Sequence, residues 1–154
     1  PLGMCIKNGI IYGDYMTSYS VMAVKNNGTI YTPAQGLMGK DLLAAGVKDT
    51  YNFGPVLIQN GEAQLPWAET EKYYPRTAVG MVKPNDYVLL VTDTGSYTGL
   101  NHWDMVNIFK SYGCTYAYNL DGGGSATLYF NGKVMNKLIG NTQRPCADFL
   151  YFTR

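Results

Sequence analysis

Four Asn-Gly dipeptides punctuate the chain, at Asn8-Gly9, Asn27-Gly28, Asn60-Gly61 and Asn131-Gly132. A type I′ turn needs positive φ at both central residues, and Asn followed by Gly meets that demand at low steric cost. Each dipeptide is flanked by strand-like residues: Met4–Lys7 with Ile10–Tyr12, Ser20–Lys25 with Thr29–Tyr31, Val56–Gln59 with Glu62–Leu65, and Ala126–Phe130 with Lys133–Met135. The pattern predicts four β-hairpins within 154 residues. Their spacing and flanks differ, so they are not solenoid repeats. Fourteen tyrosines and eighteen glycines point the same way, toward short strands joined by tight turns.

Two helices are expected. Lys40–Ala45 followed by Gly46 reads as a short helix with a glycine stop. Leu100–Tyr112 is longer: Trp103, Val106 and Phe109 recur every three residues, Leu100 and Met105 broaden the stripe, and Gly113 follows. Glu69–Pro75 reads as a loop, and Thr77–Val82 alternates weakly. Pro84-Asn85-Asp86 turns into the apolar run Tyr87–Thr92, Cys114–Leu120 is extended, and Ala147–Thr153 is the last strand. The section from Tyr87 to Asp121 is therefore a βαβ unit, with a right-handed crossover between two parallel strands. Asp93 and Asp121 follow the C-terminal ends of those strands, at one sheet edge, where such sheets form ligand crevices. The fold class is α+β: a mixed sheet rich in hairpins, one βαβ crossover helix and a short additional helix.

Composition excludes several functions. A 46% hydrophobic and 15% charged chain of this length makes one globular domain. Net charge near +1 and the absence of a basic run speak against nucleic acid. No apolar stretch is long enough for a membrane span, and the N-terminus carries no signal-peptide pattern. Cys5, Cys114 and Cys146 lie far apart with no CxxC, which favours buried free thiols over a metal site. A Ser-His-Asp triad or a histidine-based metal centre would rest on His102 alone, and a surface or structural role is expected for it.

The segment Asn119-Leu120-Asp121-Gly122-Gly123-Gly124-Ser125 carries the chemistry. Its glycines allow close backbone approach and can turn N–H groups toward an anion, with Ser125 adding a hydroxyl. It is not a P-loop, for no Gly-Lys-Ser/Thr follows, nor a GxGxxG fingerprint. Thr127 breaks the GxSxG pattern that would make Ser125 a nucleophile. The plain alternative is a flexible lead into a hairpin. Arg76 and Arg144, each beside a proline, could hold a phosphodiester bidentately, or serve as surface ion-pair residues.

In chain order, Arg76-Thr77-Ala78-Val79-Gly80, Leu89-Leu90-Val91-Thr92-Asp93, Gly99-Leu100, the Asn119–Ser125 string, Asn131-Gly132-Lys133-Val134-Met135-Asn136 and Arg144 together resemble the phosphodiester glycosidase family. The resemblance is close from Phe53 to Phe152 and looser over the first fifty residues. It implies one domain over residues 1–154 that lacks the family's first N-terminal strand, with its Asn-Gly-Gly/Ala-Phe-Phe type motif. The family commonly has Asp-Gly-Arg where this chain has Asp93-Thr94-Gly95.

The resemblance implies a hydrolase that cleaves a sugar-1-phosphodiester into free sugar and phosphomonoester. Asp121 would be the leading carboxylate, as nucleophile or base, with Asp93 orienting substrate or activating water. Arg76, Arg144 and the amides of Gly122, Gly123 and Gly124 would hold the phosphate. Thr77, Asn119 and Ser125 would complete the binding site, although Asn119 equally suits a buried turn-former bonded to backbone. Adjacent carboxylate strands would suit retention, and an intervening strand inversion. No cofactor is required; a weak divalent cation such as calcium at Asp93 or Asp121 is conceivable. The implied partner is a carbohydrate phosphodiester, and the implied setting is extracellular or the cell envelope of a bacterium or phage. Two other readings stand beside it: a non-catalytic carbohydrate- or phosphate-binding module, and a purely structural β-rich domain.

Overall fold

The computed structural model describes residues 3–65, 72–93 and 99–152. Twelve strands and two α-helices lie among them. Strands β1 (Cys5–Lys7) and β2 (Ile10–Gly13) form a hairpin. Strands β3 (Ser20–Lys25), β4 (Ile30–Tyr31) and β5 (Val47–Phe53) form a three-stranded antiparallel sheet in the order β4-β3-β5. Strands β6 (Val56–Gln59), β7 (Glu62–Ala63), β8 (Thr77–Lys83), β9 (Asp86–Val91) and β10 (Tyr116–Asn119) form the main sheet, ordered β7-β6-β10-β8-β9. A last hairpin pairs β11 (Tyr129–Phe130) with β12 (Lys133–Val134).

Three of the four Asn-Gly pairs make the expected two-residue turns. Both central φ values are positive at Asn8-Gly9 (50° and 75°), Asn60-Gly61 (51° and 80°) and Asn131-Gly132 (48° and 85°). Asn27-Gly28 differs. Lys25 N–H donates to Thr29 O, so Asn26-Asn27-Gly28 is a three-residue loop in which Gly28 alone is left-handed, at 81°. This is the type I turn plus bulge that three-residue hairpins favour. The side chain of Asn27 accepts the Thr29 N–H inside it.

Both helices form where expected, the first shifted one residue toward the N-terminus and the second shorter by two residues at its start and one at its end. Helix α1 spans Gly39–Ala44, with Asp41 at its third position accepting the Met38 N–H. Helix α2 spans His102–Ser111. Asn101 caps it by accepting Asp104 N–H at 2.8 Å, and Asp104 reaches back to the Asn101 N–H at 3.3 Å, a reciprocal capping box. The buried face of α2 is His102, Met105, Val106 and Phe109, whereas Trp103 is 43% exposed. The three-residue spacing that included Trp103 drifts off the true stripe, because a helix turns every 3.6 residues. His102 is buried rather than at the surface.

The layers stack as hairpin and α1, three-stranded sheet, main sheet, α2. Met4, Ile6, Val21, Ala23, Leu42 and Val47 fill the first interface. Met22, Ile30, Tyr51, Val79, Met81, Tyr116 and Tyr118 fill the second. Ala78, Met105, Val106, Phe109, Cys114 and Ala117 fill the third. Gly80 lets α2 lie close on the sheet, since a Cβ there would meet Phe109 Cδ1 at 2.5 Å and Cys114 Sγ at 2.7 Å. Cys5, Cys114 and Cys146 are all free thiols, and only Cys114 is fully buried.

Two segments depart from the sequence reading. Val47–Phe53 is a seven-residue strand where none is expected, because Lys48, Asp49, Thr50 and Asn52 hide its alternation. Thr50 is buried, its hydroxyl accepting from Ile6 N–H and donating to Met4 O. Ala147–Thr153 is not a strand: its described residues are irregular to Phe152. Side-chain anchors take the place of a ladder, with Lys7–Asp148 at 2.9 Å, Leu150 against the inter-sheet core and the Phe152 ring 5.2 Å from that of Tyr87. No helix among the described residues is long and apolar enough to cross a membrane.

In the main sheet β8 pairs antiparallel with both β9 and β10. Strands β9 and β10 therefore run parallel, as the βαβ reading requires, but β8 lies between them. Their C-terminal ends share one edge with the start of β8.

Burial pushes the hydroxyls of Tyr51, Tyr116 and Tyr118 well above the ordinary tyrosine value of 10.0. Above that value the unfolded chain loses protons that the folded protein keeps. Stability gained from these phenols is complete below about pH 10 and falls as pH rises beyond it, by about 1.4 kcal/mol per pH unit for each group. Burial also pushes the Cys114 thiol above its ordinary value of 9.0, so urea midpoints measured at increasing pH should begin to fall near pH 9 and fall more steeply beyond about pH 10, and Tyr118→Phe should make that second drop shallower.

Candidate functional site

Strand β10 delivers the site. All four of its residues are buried, and Asn119, at its end, is 2% exposed. The Asn119 amide nitrogen donates to Gly54 O at 2.7 Å, while its backbone N–H donates to Pro55 O and its carbonyl accepts from Gly54 N–H. Its Oδ1 has no hydrogen-bond partner among the described residues. Leu120 N–H then donates to Thr77 O at 2.8 Å, which holds the departing chain beside β8. Thr77 opens β8, and its hydroxyl oxygen is also buried without a partner among the described residues.

Asp121 emerges two residues beyond β10, exposed, with Oδ1 accepting the Gly122 N–H at 2.8 Å. The glycine run is sewn down rather than splayed. Gly123 N–H donates to Pro75 O at 2.9 Å, Ser125 N–H to Gly122 O and Ala126 N–H to Gly123 O, forming a 3-10 turn over Gly123–Ser125. Among the described residues, Gly124 N–H makes no such bond, and neither does the Ser125 hydroxyl. Gly122 lies so close to Pro75 that a Cβ would meet its carbonyl oxygen at 2.4 Å.

Asp93 sits two residues beyond β9, and its Oδ1 accepts the Lys137 N–H at 2.8 Å. Thr94 and Gly95, the rest of the altered triplet, lie outside the described residues, as do Glu69, Thr70 and Glu71 of the expected loop. Arg76 stands at the same edge and braces it. Its N–H donates to Thr92 Oγ1 at 2.8 Å, Nε to Leu100 O and Nη2 to Lys72 O, both at 3.0 Å. Its guanidinium also lies 5.3 Å from the Tyr74 ring centroid. The Arg144 side chain reaches the loop from the other direction, its Cδ 3.5 Å from where a Gly124 Cβ would stand. Among the described residues Arg144 has no ion-pair partner.

The structure thus gathers Asp93, Asp121, Arg76, Thr77, Asn119, the glycines, Ser125 and Arg144 around one sheet edge. Asn136 and Lys137 are supports that sequence reasoning gave no role. Asn136 ties the last hairpin down by accepting Leu128 N–H and donating to Ala126 O, and the next residue holds Asp93. Among the described residues no three His, Cys, Asp or Glu side chains come together as a metal site.

A family model of phosphodiester glycosidases matches residues 1–153, first fifty residues included. The chain belongs to that family. It is 29% identical over 160 residues to an uncharacterized SPbeta prophage-derived protein, YomE, of Bacillus subtilis, a match over 97% of this chain and 25% of that protein. It is 41% identical over 58 residues to the mouse N-acetylglucosamine-1-phosphodiester alpha-N-acetylglucosaminidase, covering 37% of this chain and 11% of the mouse protein. The catalytic domain of the zebrafish enzyme of that name shares the fold, with a TM-score of 0.73 at 23% identity over 88% of this chain and 50% of the zebrafish chain. A Synechocystis hypothetical protein is a more distant likeness, with a TM-score of 0.53 at 16% identity over 83% of this chain and 32% of its own. This chain therefore spans a quarter or less of the curated relatives it matches.

Gly122→Ala should lower stability by about 1–3 kcal/mol, because the backbone carbonyl it would strike cannot swing aside as a side chain can. Gly124→Ala has room and should cost about 1 kcal/mol or less. Chemical denaturation of the two variants checks the contrast.

Proposed function

We propose that this chain hydrolyses a sugar-1-phosphodiester, releasing free sugar and a phosphomonoester. The observation that carries the reading is the shared edge: Asp93 and Asp121 each follow by two residues one of two parallel strands, with Arg144 lying over the glycine loop between Asp121 and the hairpin. Cleavage at C1 passes through an oxocarbenium-like state, which carboxylates stabilise, while the departing phosphate needs positive charge. Phosphate is already a good leaving group, so proton donation to it matters less than charge stabilisation.

Asp121 acts on the sugar or its attacking water, and Asp93 orients the other side. Arg144 and the Gly124 N–H hold the phosphate. Arg76 organises the edge through its backbone bonds and adds its charge to the field. Because β8 separates the two parallel strands, their ends stand about 9.5 Å apart, two strand spacings. That supports an inverting arrangement, in which a water fits between carboxylates roughly 6.5–9.5 Å apart.

Incubation with a sugar-1-phosphodiester should yield free sugar plus phosphomonoester; release of a sugar phosphate would mean P–O cleavage and sink the assignment. Asp121→Asn should reduce kcat by about 100-fold or more. Arg144→Ala should raise KM about 10-fold while Arg144→Lys recovers part of it. The first-formed anomer, followed by NMR, should have the opposite configuration to the substrate. Saturable binding without turnover would instead support the non-catalytic carbohydrate-binding module.

A further inference from the structure

At the same sheet edge, but on the other side of β10 from β8, two aromatic rings lie open. Tyr19 is 56% and Phe53 38% exposed, with ring centroids 6.4 Å apart and planes only 16° from parallel. The two rings are stacked. The pair is held firmly. Ser20 and Phe53 are partners across β3 and β5, and Tyr118 Oη accepts the Phe53 N–H at 2.8 Å while donating to Ser20 O at 2.6 Å. Tyr19 N–H is held by Thr17 Oγ1.

The pair connects directly to the carboxylate loop. Gly54, the residue after Phe53, exchanges hydrogen bonds with Asn119. Asp121 follows Asn119 by two residues, about 7 Å of extended chain. The rings and Asp121 are therefore tied to the same end of β10, so a glycan running along this edge can reach both. We propose that Tyr19 and Phe53 form a sugar-stacking subsite, so that the substrate is an oligosaccharide or longer glycan linked through phosphate and not a lone sugar. The inference rests on the hydrolase reading for its placement. Its chemistry rests on the rings: flat, neutral aromatic faces take the C–H faces of pyranose rings. Binding energy gained there, away from the reacting carbon, holds ground state and transition state alike and so adds to affinity for the substrate.

Calorimetry with chitotetraose, maltotetraose and their monosaccharides tests the subsite. At least one tetrasaccharide should bind at least about 10-fold tighter than its monosaccharide. Tyr19→Ala and Phe53→Ala should abolish that advantage, and Phe53→Tyr should keep it. Both alanine variants should still unfold cooperatively, Phe53→Ala at a somewhat lower temperature because its ring is part-buried, and the Phe53 N–H bond to Tyr118 is kept because it does not involve the ring. With a phosphodiester substrate carrying a tetrasaccharide, the alanine variants should raise KM about 10-fold without changing kcat. The glycerol-linked equivalent should be indifferent to them. Equal binding of tetrasaccharide and monosaccharide, or tetrasaccharide binding undiminished in both alanine variants, overturns the proposal. Ring-dependent binding with no turnover of any phosphodiester upholds the subsite and overturns the hydrolase reading, so the two ideas fail separately.

Discussion

The hydroxyl of Tyr118 joins the two sheets. Rooted in the most buried strand of the main sheet, it bonds to β3 through Ser20 O and to β5 through the Phe53 N–H. One residue on, Asn119 clamps the connection between β5 and β6 at Gly54. The sandwich and the loop that follows it are thus positioned by the same four-residue strand. A shift of β10 relative to the three-stranded sheet would move Asp121 and break both contacts. Losing these part-buried bonds would leave Phe53 N–H and Ser20 O without their partner from the main sheet.

The edge is built as a brace with working groups hung from it. Arg76 reaches three separate backbone positions, at Thr92, Leu100 and Lys72, and so ties the end of β9, the lead into α2 and the segment before β8. Pro75 receives the glycine loop, and Lys137 receives Asp93. Asn136 fastens the hairpin that Lys137 follows. Long-range backbone bonds of this kind hold irregular segments that have no ladder of their own.

Local signals carried well from sequence to structure, and distant ones less so. Asn8-Gly9, Asn60-Gly61 and Asn131-Gly132 announced their turns because the φ requirement is satisfied within two residues. Asn27-Gly28 kept its hairpin but changed its turn, because Asn26 joined the loop. Val47–Phe53 was illegible: Thr50 and Asn52 are polar residues whose partners lie more than forty positions away at Met4 and Ile6. The parallel course of β9 and β10 was readable from the helix between them, but the insertion of β8 was not, since strand order depends on pairings across the whole chain. At the site, the placement of Asp93 and Asp121 at one edge followed from strand direction alone. The occupation of the Gly122 and Gly123 amides did not, because the acceptor for Gly123 is Pro75, nearly fifty residues earlier.

The contacts that set the candidate site's edge also set when it can form. Each Asn-Gly hairpin closes locally, on a timescale of microseconds. The Tyr118–Ser20 and Asn119–Gly54 bonds span 98 and 65 residues, so they carry the loop-closure entropy of most of the chain. The carboxylate loop therefore acquires its position late in folding, after the hairpins have given the sheets something to pair with. Until then the exposed, glycine-rich segment has no fixed shape to offer a ligand. Its shape is a property of the assembled sandwich and not of the motif itself.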